Sequence, residues 1–266
     1  MFIESLAKGL SVLEAFQPDA PTLTLSELAR RTGMSMGSAQ RITHTLVTLG
    51  YLDKDPHTRA YRVGPRVLRL ARSYMQSVDL QRASQLPMQQ LAREVGETVN
   101  VSVRSGMDIV YVLRIPGQDS IVLPNLWVGS NLPLHFTSMG RAMVAFLADD
   151  ERESIVRRIA FPFATNAREV SEADFLDDLE RIRERGYAVN DRDLRPDLRS
   201  LAAPVFNHEG HAVAALGVAV SAQRYDLATL QDRLVDPLTR AATSVSHNLG
   251  FDTASNGRRR RPTAST

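Results

Sequence analysis

The chain has 266 residues, of which 43% are hydrophobic and 23% charged, and a formal net charge of +2. This composition is typical of a soluble globular protein with one large or two ordinary domains. Cysteine is absent, which excludes disulfides, thiolate metal ligands and thiol nucleophiles and favours a reducing compartment. Since the sequence has no apolar stretch of about 18 residues and no signal-peptide pattern at its start, we expect a cytoplasmic protein without a membrane span.

The charge is unevenly distributed along the chain. Residues 21–72 contain nine Lys and Arg against three Asp and Glu, a net charge of +6. Residues 81–254 contain 18 against 23, a net charge of −5. A basic module joined to an acidic body predicts that only the N-terminal part meets a polyanion.

The first 65 residues show the pattern of a winged helix-turn-helix domain. Helical spacing predicts a first helix over 4–16, with an apolar stripe formed by Leu6, Leu10, Leu13 and Phe16. Thr24 and Glu27 match a capping box, which predicts a second helix over 25–32 that stops at Gly33. Ser35 is expected to cap a third helix whose apolar side carries Ala39, Ile42, Leu46 and Leu49. The alternating segment 51–63, with its Asp-Pro-His-Thr turn, predicts the hairpin of a wing.

The rest of the chain mixes helices with antiparallel strands, which predicts an α+β fold. A linker helix over 66–80 is expected to lead to a ligand-sensing domain over 81–250, and residues 251–266 to form a disordered basic tail. Further helices are predicted over 80–95, 138–147, 149–159, 171–185 and 226–248, and strands over 98–104, 108–115, 120–128, 187–190, 201–206 and 212–220.

The third helix carries the pattern of a DNA-reading element. No acidic residue lies between Gly33 and Leu52, as expected for a surface that approaches phosphates. Arg41 can contact guanine and Gln40 adenine, each through two hydrogen bonds. We predict DNA contacts by Thr24, Ser35, Met36, Ser38, Gln40, Arg41 and His44 from the helix-turn-helix, and by Lys54, Arg59 and Arg62 from the wing. The alternative is a helical hairpin whose polar face meets only water.

Five segments resemble, in order and spacing, the IclR family of bacterial transcription regulators. They are "LAKGLSVLEAF", "LTLSELARRTGMSMGSAQRITHTLVTLGYL", "YRVGPRVLRLA", "LPLHFTSMGRAMVAFL" and "RGYAVNDRDLRPDLRSLAAPVFNHEGHAVAALGVAVS". The "TSMGRA" variant is most similar to the branch of protocatechuate, 4-hydroxybenzoate and β-ketoadipate (Pca/Pob) regulators. The resemblance implies a GAF-like effector-binding domain with a central antiparallel sheet, a small acidic effector, and a homodimer or dimer of dimers. We expect no metal and no cofactor.

Matching the family position by position implies a set of effector-binding residues. They are His135, Ser138, Met139, Gly140, Asn190, Asp191, Ser200, Gly217 and Ala219. The start of the helix at Ser138 is expected to receive a carboxylate. Gly217 and Ala219 stand where relatives that bind very small keto acids tend to carry hydroxyls. We therefore expect a roomier, more apolar pocket that suits an aromatic or longer acid.

Several residues keep two interpretations. His135 is a ligand contact or a core or capping histidine, and Trp127 stacks on a ligand or, with more weight, packs in the core or at an interface. Arg104, Arg114 and Arg141 are candidate carboxylate partners or ordinary surface arginines. The aspartates and arginines that alternate over 191–199 favour an ion-pair loop. The histidines at 208 and 211 give little support for a metal site. The Arg258–Arg261 run is a solvated tail or a non-specific DNA contact.

The function predicted from these patterns is sequence-specific DNA binding modulated by a small acid from aromatic catabolism. Two DNA-reading helices of a dimer predict a pseudo-palindromic double-stranded operator. The competing class is an enzyme or sensor that acts on a small aromatic acid without DNA binding. The sequence contains no GxSxG elbow, no phosphate-binding glycine loop and no dinucleotide fingerprint, so the enzyme alternative has little support. A structural interaction protein is disfavoured by the acid-free third helix.

Overall fold

A computed structural model describes residues 1–77, 79–118, 126–165 and 168–252, with backbone only for 75–77. The chain divides into two compact units, and the second unit starts at Asp79. Together they have the predicted α+β class, with a winged helix-turn-helix followed by a domain built on an antiparallel sheet. Within the described ranges, no helix combines the length and apolar character that crossing a bilayer requires.

The first unit contains four helices and a small sheet. Its elements are α1 (Glu4–Glu14), β1 (Thr22–Leu23), α2 (Leu25–Thr32), α3 (Met36–Thr48), β2 (Leu52–Lys54), β3 (Tyr61–Val63) and α4 (Val67–Ser77). The wing hairpin is β2–β3, and β1 adds to its free edge, so the strand order is β1-β3-β2. Strand β1 was not predicted, because two residues are too few to show an alternating pattern.

The predicted capping signals set the connection between α2 and α3. The Thr24 hydroxyl accepts the Glu27 N–H at 3.4 Å, and the Glu27 carboxylate accepts the Thr24 N–H at 2.8 Å. Gly33 ends α2 with φ 66°, in the left-handed region that favours glycine. The Ser35 hydroxyl then accepts the Ser38 N–H at 3.3 Å and starts α3. Both predicted helix starts are therefore confirmed.

The core of this unit differs from the predicted apolar stripe. It contains Val12, Leu23, Leu28, Leu46, Leu52 and Tyr61. Leu6 and Leu10 of α1 are 60% and 51% exposed, and Leu49 of α3 is exposed as well. The apolar sides predicted for α1 and α3 therefore extend beyond the core of this single chain. Periodicity identifies an apolar side of a helix but not how far the core extends along it.

The second unit, in its described part, has a main sheet of six strands with helices on both faces. Its elements are α5 (Leu80–Val95), β4 (Thr98–Ser105), β5 (Asp108–Ile115), β6 (Asn131–Pro133), a 3-10 turn (Leu134–Phe136), α6 (Ser138–Val144), α7 (Asp149–Val156), β7 (Phe163–Ala164), β8 (Glu169–Val170), α8 (Glu172–Arg185), β9 (Ala188–Asp191), β10 (Leu198–Phe206), β11 (Ala212–Ser221) and α9 (Leu227–Asn248). The short strands β7 and β8 pair with each other outside the main sheet.

All neighbours in the main sheet are antiparallel, in the order β6-β5-β4-β11-β10-β9. Helix α6 packs with Ala202 and Ala215 in one cluster, and it also contacts β9. Helix α9 contacts β10 and β11 as well, and it packs against α5. Since side chains alternate between the two faces of a strand, α6 and the α5–α9 pair cover opposite faces.

Differences from the predicted elements lie mainly at boundaries. Helix α6 ends at Val144, three residues before the predicted end, and β10 begins three residues before its predicted start. The strand predicted over 120–128 lies mostly outside the described residues, and 126–128 is not a strand. The predicted tail lies outside them from residue 253 onward.

Replacing Thr24 with Ala should lower the free energy of unfolding of the first unit by about 1 kcal/mol, because α2 loses its N-terminal cap. Urea unfolding monitored by circular dichroism measures this loss. Thr24→Ser is the matched control, since it keeps the hydroxyl and should stay close to the original chain. Equal losses in both variants would show that the methyl group, not the cap, stabilises the helix.

Candidate nucleic-acid interface and effector cavity

Helix α3 buries one side and presents the other to solvent. Ala39, Thr43 and Leu46 are buried, at the spacing of one helical face, and α3 contacts α1 and α2. The residues predicted to read bases lie on the opposite side: Ser35, Met36, Gln40, Arg41 and His44 are exposed and Ser38 is half-buried. We call these six residues the recognition surface.

The wing places its predicted cations in solvent beside a rigid turn. The Asp55 carboxylate accepts the N–H groups of Thr58 and His57 at 2.9 and 2.8 Å, and these bonds lower the pKa of Asp55 below its ordinary value. Arg59 follows with φ 58°, and its side chain is exposed. Arg62 is exposed and donates to Asp53 at 3.4 Å.

A concavity joins the recognition surface to one of the wing residues. It is lined by Leu25, Gln40, Arg41, His44, Val47, Lys54 and Tyr61. The Lys54 ammonium lies 5.3 Å from the centre of the Tyr61 ring, which holds the cation at this edge. Arg59 and Arg62 do not line the concavity. Thr24 does not line it either, and its hydroxyl is engaged by Glu27.

The second unit contains a cavity of about 170 Å³ between the sheet and α6. Its apolar lining consists of Leu126, Leu132, Met139, Leu194, Leu198, Leu201, Gly217, Val218 and Ala219. Its polar lining consists of Asn100, Tyr111, Thr137, Ser138, Asn190, Arg195 and Ser200. These residues come from β4, β5, β6, α6, β9, β10, β11 and the segments between them, so the cavity exists only in the folded unit.

Six of the nine predicted effector residues line this cavity. They are Ser138, Met139, Asn190, Ser200, Gly217 and Ala219. Gly140 does not line it, although it is needed for the site. A Cβ on Gly140 would lie 2.1 Å from the carbonyl oxygen of Leu134, so only glycine allows α6 to approach the preceding turn this closely.

The other two predicted residues point elsewhere. The Asp191 carboxylate accepts from Arg199 at 2.7 Å and from Arg192 at 3.2 Å. His135 packs among aromatic rings, with its centroid 4.3 Å from that of Phe136 and 4.8 Å from that of Phe163. Burial lowers the pKa of His135. These contacts favour the core interpretation of His135.

The polar groups of the cavity differ in how far they are engaged. The hydroxyl oxygens of Ser138 and Ser200 are 2.8 Å apart. The Asn190 amide donates to the Phe136 carbonyl at 2.6 Å and accepts the Asp193 N–H at 3.1 Å, so it serves the protein itself. Arg114 donates to the Asn100 side-chain oxygen at 3.3 Å. The Asn100 NH₂ group therefore faces away from Arg114 and is a hydrogen-bond donor.

The floor and one wall of the cavity are shaped by Gly217 and Met139. A Cβ on Gly217 would lie 2.9 Å from Met139 Cγ, so the methionine occupies part of the space that glycine leaves. The gain in room expected from Gly217 is therefore smaller than the sequence predicts. Burial raises the pKa of Tyr111 to about 12, so this residue lines the cavity as a neutral phenol.

Of the three candidate arginines, none lines the cavity. Arg141 is buried and bonded to Asp178 at 3.2 Å and Asp193 at 3.0 Å, and Arg104 pairs with Glu151. Arg114 touches the cavity only through Asn100. Trp127 is 61% exposed, so it is not packed in the core of this chain. In the parts of the chain that the structure describes, no three His, Asp or Glu side chains gather as metal ligands.

Comparison with known proteins identifies both units. The model of the "Bacterial transcriptional regulator IclR C-terminal" domain matches residues 72–247, and the "IclR helix-turn-helix domain" model matches residues 5–56. The chain belongs to the IclR family of bacterial transcriptional regulators. It accordingly carries a helix-turn-helix DNA-binding domain and an effector domain, and the predicted family and fold are confirmed.

Two curated relatives are named as regulators of the Pca regulon and of p-hydroxybenzoate hydroxylase. The Pca regulon regulatory protein of Pseudomonas putida is 30% identical over 93% of this chain and 84% of that protein. The p-hydroxybenzoate hydroxylase transcriptional activator of Acinetobacter baylyi is 32% identical over 93% of this chain and 92% of that protein. These similarities support the Pca/Pob branch that the "TSMGRA" segment indicated.

A solved IclR homologue from Microbacterium hydrocarbonoxydans, complexed with 4-hydroxybenzoate, has the same fold. Its TM-score is 0.78 at 22% identity, and the match covers 92% of this chain and 98% of that chain. The winged domain and the sheet-based effector unit are thus the ordinary IclR arrangement.

Sequence reasoning missed several residues that line the cavity. Asn100 carried a readable signal, since it is the one amide in the apolar strand pattern of 98–104. Tyr111 and Leu132 carried none, because tyrosine and leucine are ordinary core residues in a strand. Arg195 was interpreted only as part of the ion-pair loop. Its bidentate bond to Asp197 agrees with that interpretation, but the side chain also reaches the cavity.

His135 should make the stability of the second unit depend on pH. Its folded-state pKa lies below the unfolded value, so the unfolded chain binds the proton more readily. Its contribution is fully present above the unfolded pKa of about 6.5 and is lost as the pH falls below it. Unfolding midpoints between pH 8 and 5 should therefore fall more steeply for the original chain than for His135→Phe. Parallel curves would contradict this origin of the pH dependence.

Proposed function

We propose that this IclR regulator binds a small aromatic carboxylic acid and converts that binding into a change in operator affinity. The cavity beneath α6 carries the proposal. At about 170 Å³ it is close to the roughly 150 Å³ of an engineered protein cavity that binds benzene, so it has room for one ring. Its leucine, methionine and valine side chains suit an aromatic face, and the seven polar residues of the lining suit substituents at the ring edge.

The relatives support the same ligand class. The homologue from Microbacterium hydrocarbonoxydans is complexed with 4-hydroxybenzoate. The relatives from Pseudomonas and Acinetobacter are named as regulators of the Pca regulon and of p-hydroxybenzoate hydroxylase. In this chain Tyr111 offers a neutral phenol, and Ser138 and Ser200 offer hydroxyls, as partners for a ring hydroxyl. None of the described residues that line the cavity is a histidine or a carboxylate, the usual general bases. We therefore propose binding without turnover.

For DNA, we propose that the recognition surface enters the major groove and the wing contacts the backbone. Arg41 and Gln40 lie next to each other at the centre of this surface and are the proposed base readers. Ser35, Met36, Ser38 and His44 flank them, and Lys54, Arg59 and Arg62 are the proposed phosphate contacts. Thr24 is the weakest member of the predicted set, since a phosphate would compete with Glu27 for its hydroxyl.

We propose that two copies assemble through the first unit. Four apolar side chains of α1 and the segment before it are exposed: Phe2, Ile3, Leu6 and Leu10. Leu68 and Leu70 of α4 are exposed as well. A large exposed apolar surface favours contact with another protein surface. A symmetric pair then matches a pseudo-palindromic operator, whose half-sites lie about one helical turn or a multiple apart. Pairing of two such dimers gives the predicted tetramer.

The proposed mechanism couples the two units through α4, which spans most of the predicted linker 66–80. The proposed domain limits are residues 1–65 for the winged domain and residues 81–250 for the effector domain. The proposed location is the cytoplasm, where the DNA lies. Regulation requires that the acid favour one arrangement of the dimer by a coupling energy of roughly 1–3 kcal/mol. The same coupling serves an activator or a repressor.

Thermal unfolding with increasing ligand tests the effector class. Ligand that binds the folded state raises the melting temperature, and 4-hydroxybenzoate, protocatechuate and benzoate should do so at lower concentration than pyruvate or glyoxylate. Cyclohexanol is a neutral, ring-sized control. A larger shift with the two- or three-carbon keto acids would overturn the aromatic assignment.

Arg41→Ala should weaken operator binding by about 1–3 kcal/mol and relax the preference at one base position, as expected for a base contact. Arg59→Ala is the matched variant on the wing, and it should weaken all sequences equally and reduce the salt dependence. Binding titrations against the operator and its single-base variants at several salt concentrations measure both effects. A uniform loss with Arg41→Ala would reassign that residue to a phosphate.

A further inference from the structure

The cavity contains a single charged side chain among the described residues that line it, and that side chain is Arg195. It lies on the loop between β9 and β10, where it is 43% exposed at the edge of an otherwise neutral cavity. Moving a carboxylate from water into an apolar space is unfavourable unless a charged or strongly hydrogen-bonding partner compensates for the lost water. A cavity that binds an acid therefore needs a partner for the carboxylate, and few of the residues that line this cavity can serve as that partner.

The alternatives on the lining are already engaged or neutral. Helix α6 has only seven residues, and the Gly140 N–H at its start donates to the Thr137 hydroxyl at 3.0 Å. The Ser138 and Ser200 hydroxyls bond to each other. Asn190 uses both ends of its amide within the protein. None of these groups carries a positive charge.

The neighbouring arginines do not compete for the role. Arg199 is directed at Asp191 and at the carbonyls of Ala222 and Tyr225, and Arg141 is buried with Asp178 and Asp193. Neither residue lines the cavity. Arg192 pairs with Asp191 and also lies outside the lining.

Arg195 has unused N–H donors that can bind a carboxylate. Its Nε and Nη2 atoms donate to the two oxygens of Asp197 at 3.0 and 2.8 Å, and this pair raises the pKa of Arg195. Nη1 has no hydrogen-bond partner within the described part of the chain. A guanidinium presents five N–H groups along two usable edges, so the edge formed by Nη1 and Nη2 remains available while Asp197 holds the other.

Main-chain hydrogen bonds fix the backbone of the loop that carries Arg195. The Leu198 N–H donates to the Arg195 carbonyl at 3.2 Å, and the Ala222 N–H donates to the Asp197 carbonyl at 2.9 Å. These bonds hold the turn 195–198 against the end of β11. The main chain thus fixes the backbone at Arg195, and Asp197 orients the guanidinium.

We infer that Arg195 is the carboxylate anchor of the effector cavity and the residue that selects acids over neutral rings. The inference rests on the proposed effector class and names the group that recognises the carboxylate, the Arg195 guanidinium. The carboxylate binds the outer edge of the guanidinium at the mouth, and the ring lies inside against Met139 and Leu201. Asp197 positions the guanidinium from its other side.

Calorimetric titration with 4-hydroxybenzoate and with 4-hydroxybenzamide, its neutral analogue, tests the inference on the full chain. The original chain should bind the acid about tenfold or more tightly than the amide, the scale of one charge-assisted hydrogen bond. Arg195→Gln should bring this ratio close to one while leaving amide affinity nearly unchanged. Arg195→Lys should restore part of the ratio, because it keeps the charge but loses the fork.

Two further variants separate this outcome from its competitors. Arg192→Gln removes a neighbouring charge on the same loop outside the cavity and should keep the full ratio. Collapse of the ratio in Ser138→Ala, but not in Arg195→Gln, would overturn the inference and assign the carboxylate to the start of α6. Equal loss in Arg192→Gln and Arg195→Gln would also overturn it, since general loop charge would then explain the effect.

Failure of the proposed effector class gives a different result. If the original chain binds neither compound and no aromatic acid stabilises it, the effector class and the anchor are both wrong. If the original chain prefers the acid and Arg195→Gln retains that preference, the effector class stands and only the anchor is wrong. Melting temperatures of all variants verify folding.

Discussion

The effector site depends on the buried guanidinium of Arg141. It joins α6 to Asp178 on α8, to Asp193 on the loop after β9, and to the Val189 carbonyl at 2.9 Å. A buried charge held by two carboxylates is stable only with all partners in place, because an unpaired buried ion is costly. One side chain thus fixes a helix and a loop relative to the sheet, and the cavity is the space enclosed between them.

Glycines complete this arrangement. Gly140 lets α6 approach the 3-10 turn that precedes it, and Gly217 lets Met139 pack onto β11. Both contacts are too close for a Cβ, so a larger residue at either position would displace the helix or the methionine. The cavity volume is therefore set by backbone packing, whereas its charge is set by one loop.

The DNA-binding unit was largely predictable because its signals are local. The Thr24–Glu27 capping box, Gly33 and Ser35 each determine the backbone within a few residues, so helix limits and exposed residues followed from the sequence. The burial of each apolar residue is a long-range property: the exposure of Leu6 and Leu10 depends on how far the core extends and on what else covers α1. No local pattern contains that information.

The cavity was less predictable for the same reason. Its lining comes from segments more than 100 residues apart, so periodicity alone did not bring Asn100, Ser138 and Gly217 together. The family resemblance did supply six lining residues. It did not supply Arg195, because alternating charges on a loop have the same appearance whether they face solvent or a cavity.

The position of Trp127 has a practical consequence. It is the only tryptophan of the chain, largely open to solvent, and bonded directly to Leu126, which lines the cavity. Intrinsic indole emission from this protein therefore originates at one point, a single peptide link from the ligand space. The unmodified molecule carries its own optical probe at that location, without any attached dye.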